Sequence, residues 1–430
     1  MFSIKKISLI LLYLSSFSAF AMEKTFNKIE FLGNNRTEES VLNLIVEINS
    51  GDKFQTEKLE KAVQQLKNTH LFSKVEVSIT GDKDDSNKID VKFNLEEKWA
   101  IIPVPIAYSA GGVSRYGVAL MDYNFLGRFY QLTNYFYLQN SKPNFGSTFV
   151  NNFTFNLPLI SVLSFNYVDN KNTIYNKNKE VGYYSVNLIQ LEGDMIWKFN
   201  DYINLGAGLK YENAGNVNNE LSNDEKIKNT QNGIEKPKSF DNLAFVGKGG
   251  LGKIDHDSYL AQGAQLSSTV TSTAGMYQGN DNEDYTKFEN TFLAYYKMKL
   301  YNHTNFALRI QHGQSNSKNL IRKMYLGADQ IRGFQSMQYS GNEAIYSNVE
   351  VRQTVYEGNY VSLQVVPFFD VGYIGSDFGN AINNQSLMSY GVGLRLPLMQ
   401  LAGLIVRMDY GFAVTPENQS GFSFGLSQFF

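Results

Sequence analysis

From Trp99 to Phe430 apolar and polar residues alternate in segments of about 9–14 residues, parted by Gly, Asn, Asp and Ser. A period of two puts one face of each segment in an apolar setting and the other in a polar one, which is the grammar of half-buried strands. About sixteen segments result, the first over 99–108 and the last over 421–430, an even number suited to a single-chain antiparallel barrel. Short links such as Leu157-Pro158-Leu159 and Asn200-Asp201 contrast with long polar ones over 212–239 and 314–342. This asymmetry predicts tight turns at one end of the barrel and long loops at the other, with the Asn-, Lys- and Glu-rich 212–239 stretch a mobile outer loop.

Upstream the pattern changes. Phe26, Ile29 and Phe31 predict a strand ended by Gly33-Asn34-Asn35, and Val41, Leu42, Leu44 and Ile45 a helix opened by Thr37–Ser40. A second helix runs from Thr56 with Leu59, Val63 and Leu66 on one face. Two strands follow, through Phe72, Val75, Val77 and Ile79 and through Ile89, Val91, Phe93 and Leu95. The expected fold is mainly β: one small β-α-α-β-β domain over 22–98, then a transmembrane antiparallel β-barrel over 99–430. Ahead of both, Lys5-Lys6, the apolar run Ile7–Phe20 and Ala19-Phe20-Ala21 predict a signal peptide over 1–21.

Composition narrows the class. No stretch beyond the leader reaches the 18 or more apolar residues of a membrane-spanning helix, whereas 27 Tyr, 31 Phe and 35 Gly suit a chain that crosses as strands. With no Cys, disulfides, thiol nucleophiles and cysteine metal sites are excluded. Without Lys5 and Lys6 the chain holds 37 basic and 41 acidic residues, a balance that speaks against nucleic acid as a partner.

Four phrases carry a resemblance. The β-α-α-β-β order with Leu71-Phe72-Ser73-Lys74-Val75 after its second helix resembles a POTRA domain, the polypeptide-transport module of outer-membrane assembly proteins. Within the 314–342 link, Ile331-Arg332-Gly333-Phe334 matches the [VI]RG[FY] motif of the BamA/TamA superfamily, and Pro367–Gly372 resembles its F-x-D-x-G signature. Tyr123-Asn124-Phe125-Leu126-Gly127-Arg128 resembles a further phrase of that family at the second strand turn. The resemblance implies that loop 314–342 folds into the lumen and that Arg332 pairs there with Glu350 and Asp370. Arginine suits the task, because its fork of donors stays charged and binds carboxylates bidentately. In the last segment Phe422, Phe424, Leu426, Gln428 and Phe430 fall on one face, expected to meet lipid, and its terminal aromatic resembles the signal by which assembly machinery recognises barrel clients.

These features imply a protein of the cell outer membrane, its small domain in the periplasm, that inserts, assembles or translocates unfolded client proteins. The partners expected are clients, outer-membrane lipid and periplasmic or lipoprotein accessories. The alternatives are a two-partner-secretion-like pore, a passive channel, or an outer-membrane hydrolase. A single POTRA-like unit and no plug helix ahead of Phe26 speak against the two-partner branch. Gly421-Phe422-Ser423-Phe424-Gly425 has the form of a nucleophile elbow, but only five residues follow it and all four His precede it. No catalytic residue, metal ligand or cofactor is expected.

Overall fold

The computed structural model describes residues 24–430 except 83–84, 86, 111–112, 177–178, 280–282, 299–302 and 384–385. The leader expected over 1–21 lies outside the described residues. The N-terminal domain consists of β1 (Thr25–Leu32), α1 (Glu39–Val46), α2 (Thr56–Asn68), β2 (Phe72–Gly81) and β3 (Lys88–Glu97). Its sheet has the order β1-β3-β2, with β1 parallel and β2 antiparallel to the central β3. Alternation along β3 turns Ile89, Val91, Phe93 and Leu95 towards the helices, where they meet Leu42, Ile45 and Leu66 in one core. Both β1 and β2 are left as edges.

The remaining strands form a sheet of sixteen among the described residues. They are β4 (Ile101–Ala110), β5 (Val113–Phe125), β6 (Tyr130–Gln139), β7 (Lys142–Asn151), β8 (Leu159–Asn176), β9 (Lys179–Lys198), β10 (Ile203–Gly215) and β11 (Phe240–Asp257). Then come β12 (Leu260–Ser272), β13 (Thr286–Met298), β14 (Thr304–Ser315), β17 (Glu343–Glu357), β18 (Ser362–Gly375), β19 (Leu387–Pro397), β20 (Ile405–Thr415) and β21 (Gln419–Leu426). Each pairs antiparallel with its neighbours in chain order, and a separate small hairpin, β15 (Met324–Leu326) with β16 (Tyr339–Gly341), lies within loop 314–342. The outward face is apolar, as with Val118, Leu120, Phe136, Leu163, Leu205, Val392 and Phe412, whereas polar residues such as Asp194, Glu212, Glu350 and Asp409 are buried within. Such a band suits hydrocarbon, and closing the sheet leaves few backbone groups for lipid to strand.

The ring is nearly closed. β21 and β4 lie side by side, yet they are the two ends of the paired sheet. At the base of this seam Trp99 N–H donates to Gln400 O (3.1 Å) and Trp99 O accepts from Ala402 N–H (3.2 Å), while Ala100 O accepts from Tyr123 N–H (3.0 Å). Backbone groups of successive residues point to opposite sides of a strand, so those of Ile101, Pro103 and Pro105 face the seam. Two of these three lack an N–H donor, which weakens the ladder where it would have to close.

The N-terminal domain meets the barrel through Lys61 and Asp201 (3.1 Å) at the β9–β10 turn and through several contacts at two further turns. Near the β5–β6 turn Arg36 pairs with Asp122 (2.6 Å), Asn124 Nδ2 donates to Thr37 Oγ1 (2.8 Å), and Glu38 N–H donates to Gly127 O (2.9 Å). Near the β11–β12 turn Gln64 Nε2 donates to His256 O (2.8 Å), Asn68 bridges His256 N–H (2.8 Å) and Asp255 (3.0 Å), and the His70 and His256 rings meet edge-on at 4.6 Å. These last two turns follow the second and eighth strands of the ring, so the domain reaches across the barrel mouth.

The 212–239 stretch, expected to be loop throughout, contains regular structure. It holds helix α3 (Asn223–Gln231), opened by a reciprocal cap between Ser222 and Glu225. Asn229 pins this helix to the β8–β9 hairpin by accepting from Tyr183 N–H and donating to Tyr183 O. The cap satisfies donors that a short polar helix would otherwise leave to water.

Candidate functional site

Four strands and one loop converge on Arg332. Alternation on β17 turns Asn348, Glu350 and Arg352 inward, and on β18 it turns Phe368 and Asp370 inward while Phe369 faces out. Arg332 donates from Nε to Asp370 Oδ2 (2.8 Å) and from Nη2 to Asp370 Oδ1 (2.7 Å), a bidentate pair reinforced by Arg332 N–H to Asp370 Oδ2 (3.0 Å). Its Nη1 donates to Glu350 Oε1 at 2.5 Å, and all three residues are buried. The guanidinium carbon lies 3.5 Å from the centroid of the Phe368 ring. A charge this far from water persists only where partners answer it on several sides, as here.

Close backbone approach makes the geometry possible. Gly333 has φ +92°, and a Cβ there would stand 3.0 Å from the carbonyl carbon and oxygen of Gly411. A Cβ on Gly411 would in turn meet Arg332 and Gly333 backbone atoms at 2.8 Å, and Gly421 faces Gly333 Cα. Gly391, Gly411 and Gly421 are register partners across β19, β20 and β21, so a bare glycine track crosses the inner wall towards the seam. Ile331 and Phe334 enter an apolar cluster with Leu326, Tyr346 and Leu387, which holds the loop on either side of the arginine.

Sequence reasoning singled out Arg332, Glu350 and Asp370 but not the rest of the cluster. Arg395 on β19 donates to Asp409 Oδ1 (2.7 Å) and Glu350 Oε1 (3.0 Å), Arg352 to Glu350 Oε2 (2.8 Å), and Arg407 to Asp409 Oδ2 (3.2 Å). Arg309 joins through Asn348 Oδ1 (2.8 Å). The signal available was a charge between outward apolar neighbours, as in Leu394-Arg395-Leu396 and Met408-Asp409-Tyr410.

The expected lipid-facing row on the last strand requires correction. Phe422 is exposed on the outside, with Phe424 and Leu426 partly buried on the same face, but strand pairing stops at Leu426. Ser427, at φ +75°, donates its N–H to Ile405 O and turns the chain inward. Gln428 then accepts from Arg395 Nε (3.1 Å), the Phe430 ring lies 6.4 Å from that of Tyr295, and the Phe430 main-chain oxygen accepts from Arg352 Nη2 (2.9 Å). Arginine donors that the strands leave unanswered draw these residues off the outer face. Ser423 lies within β21 opposite Asp409, not at a turn between strand and helix, so the setting of a nucleophile elbow is lacking.

Comparison with known proteins bears on both regions. A family model described as "Surface antigen variable number repeat" (POTRA) matches residues 24–98, and one described as "Omp85 superfamily domain" matches residues 124–430. The outer membrane protein assembly factor BamA of Nitratidesulfovibrio vulgaris is 25% identical over 437 residues, taking in 94% of this chain and 51% of the relative. The chain thus spans about half the length of that curated relative. Among solved structures, BamA from Haemophilus ducreyi lacking POTRA domains 1–3 superposes with a TM-score of 0.56 at 15% identity, covering 94% of this chain and 84% of that one. CdiB from Escherichia coli gives 0.66 at 13% identity, covering 94% and 76%, and CdiB from Acinetobacter baumannii 0.60 at 12%, covering 94% and 74%. At such identities the likeness is one of fold.

Proposed function

The chain belongs to the Omp85 superfamily, and from that premise we propose that it is an outer-membrane assembly factor, receiving unfolded clients on a periplasmic N-terminal domain and releasing them into the bilayer between β4 and β21. The observation that carries this reading is the unzipped seam, whose β4 edge offers Pro103 and Pro105 where donors are needed. A client strand pairing with either free edge gains main-chain hydrogen bonds at no expense to an existing ladder. The free edge β2 of the N-terminal domain offers the same mode of capture below the barrel. Arg332 with Glu350 and Asp370 serves as a latch, fixing loop 314–342 to the wall that adjoins the seam so that the β4 side is the one to move. Outer-membrane lipid and periplasmic or lipoprotein accessories are the remaining partners in this reading.

A passive channel is disfavoured, because the loop, the inward-turned 427–430 segment and the N-terminal domain all occupy the lumen or its mouth. Depletion in the native bacterium followed by outer-membrane proteomics tests the assembly reading. Selective loss of particular barrel proteins is expected. An intact outer-membrane proteome with a large protein missing from the medium would instead select a secretion pore.

A further inference from the structure

Three residues, 98–100, join the last strand of the N-terminal domain to the first strand of the barrel. Lys98 N–H donates to Leu71 O (2.8 Å) on the domain side, and Trp99 is bonded to Gln400 and Ala402 on the barrel side, so Lys98 stands at the joint between the two. Its ammonium group makes no hydrogen bond or ion pair among the described residues, and burial lowers its pKa with no carboxylate opposing the shift. An ammonium so placed is a charge that its surroundings leave unanswered.

Lys98 lines a cavity of about 470 Å³, a volume within the range of ligand sites (roughly 300–1,000 Å³). His70 and His256 line it too, with ring nitrogens that make no hydrogen bond among the described residues. The other cation of the lining, Arg352, is answered by Glu350 (2.8 Å) and the Phe430 main-chain oxygen (2.9 Å), and no Asp or Glu lines the cavity. Its apolar wall is made by Leu398, Leu401, Leu404 and Ile405, from the β19–β20 turn and the start of β20. Leu401 bridges Trp99, so this wall adjoins the base of the seam. At the same end of the ring Trp99, Tyr202 and Tyr360 are exposed. Such amphipathic rings collect where hydrocarbon meets lipid headgroups, which sets Lys98, next to Trp99, at headgroup level.

We propose that this cavity binds an anionic phospholipid, with the phosphate on Lys98 and an acyl chain along Leu401, Leu404 and Ile405 towards the base of the seam. The phosphate supplies the charge that the ammonium lacks and accepts from imidazole N–H groups, while the chain covers apolar surface that the protein leaves bare. With no carboxylate in the lining, the amine of a zwitterionic headgroup would find no partner, so the site favours a lipid of net negative charge. The site deepens the assembly reading and rests on it for the barrel's place in a bilayer. A lipid seated there touches the N-terminal domain, the seam and β20 at once, and ties their arrangement to the composition of the leaflet.

The test uses the full-length protein carrying Trp197→Phe, which leaves Trp99 as the one tryptophan. It is placed in non-ionic detergent micelles doped with phosphatidylglycerol or phosphatidylcholine, each brominated in its acyl chains. Half-maximal quenching of Trp99 is expected at about tenfold less phosphatidylglycerol than phosphatidylcholine. Lys98→Gln, which breaks no side-chain contact, should bring the two curves together, whereas Lys198→Gln at the same end of the ring should leave them apart. An excess of inorganic phosphate should displace little of the lipid. Equal quenching by both lipids, or a preference that survives Lys98→Gln in a barrel of unchanged heat-modifiable mobility, overturns the proposal. Loss of the preference in Lys198→Gln as well would mark diffuse attraction to the surface, and full displacement by phosphate a free-anion site; either overturns the lipid assignment. No client takes part, so a preference found alongside an unchanged proteome upholds the site and overturns the assembly reading, and no preference alongside selective barrel loss does the reverse.

Discussion

Arg332 brings a permanent charge into a place where water cannot answer it, and only the joint presence of Asp370 and Glu350 makes that tolerable. Removing it would leave the two acids facing each other across the space it filled. Arg332→Ala is therefore expected to weaken docking of loop 314–342 by ~3–5 kcal/mol locally, less where lumen water enters. Limited proteolysis reads this directly: new cuts should appear in the loop while the barrel keeps its heat-modifiable mobility, and a loop as protected as wild type would mean the arginine anchors nothing. Gly333→Ala probes the same contact from the backbone. A methyl at φ +92° and 3.0 Å from Gly411 should cost about 1–3 kcal/mol of loop docking, visible as faster cleavage at the same sites. Unchanged digestion would show that the glycine track leaves room to spare.

Among the elements, β4 is the one whose sequence argues against its own completion. Pro103→Val with Pro105→Val restores two donors to the seam edge. Amide exchange over 101–107 should slow and client assembly should fall, in a barrel that still folds; exchange as fast as in wild type would show that the prolines do not keep the seam open. Helix α3 depends on its cap, and Ser222→Ala should cost ~0.5–2 kcal/mol, seen as earlier tryptic cutting at Lys226 and Lys228. The barrel strands were legible because each has one apolar and one polar surround, so the period of two is imposed along its length. Helix α3 escaped because its residues bury little; the phrase Ser222-Asn223-Asp224-Glu225 was the signal to use. The inward turn after Leu426 had one local sign, the polar Gln428 in an otherwise apolar row. Alternation continues to Phe430, and what overrides it is charge carried by arginines on β14, β17 and β20, more than twenty residues away.

At the scale of the molecule, the N-terminal domain is held across the mouth partly by an uncharged His70. Burial, then the neighbouring His256 and Lys98, push its pKa down to about 3, whereas a freed domain would return it to the ordinary value near 6.5. A histidine whose pKa is lowered by docking supports that docking fully above the ordinary value, and the support is lost as pH falls from about 6.5 towards 3. Spin labels on cysteines introduced at Glu60 and Ser258 should move apart across that interval, and His70→Phe should abolish the dependence; a separation constant with pH would show that His70 plays no part. The Arg332 latch has a consequence in time as well. The loop precedes β17 in the chain; its first part is held by earlier residues, Ser317 by Glu283 and Asn319 by Lys238 O, but the groups that hold Arg332, from Glu350 to Asp409 and the rings of Phe368 and Phe429, all come later. During the protein's own synthesis and insertion Arg332 must wait, unseated, until the later strands arrive. Its seating is thus a clock for completion, and in a pulse-chase the backbone around Arg332 should become protease-resistant only after the barrel's C-terminal third has formed.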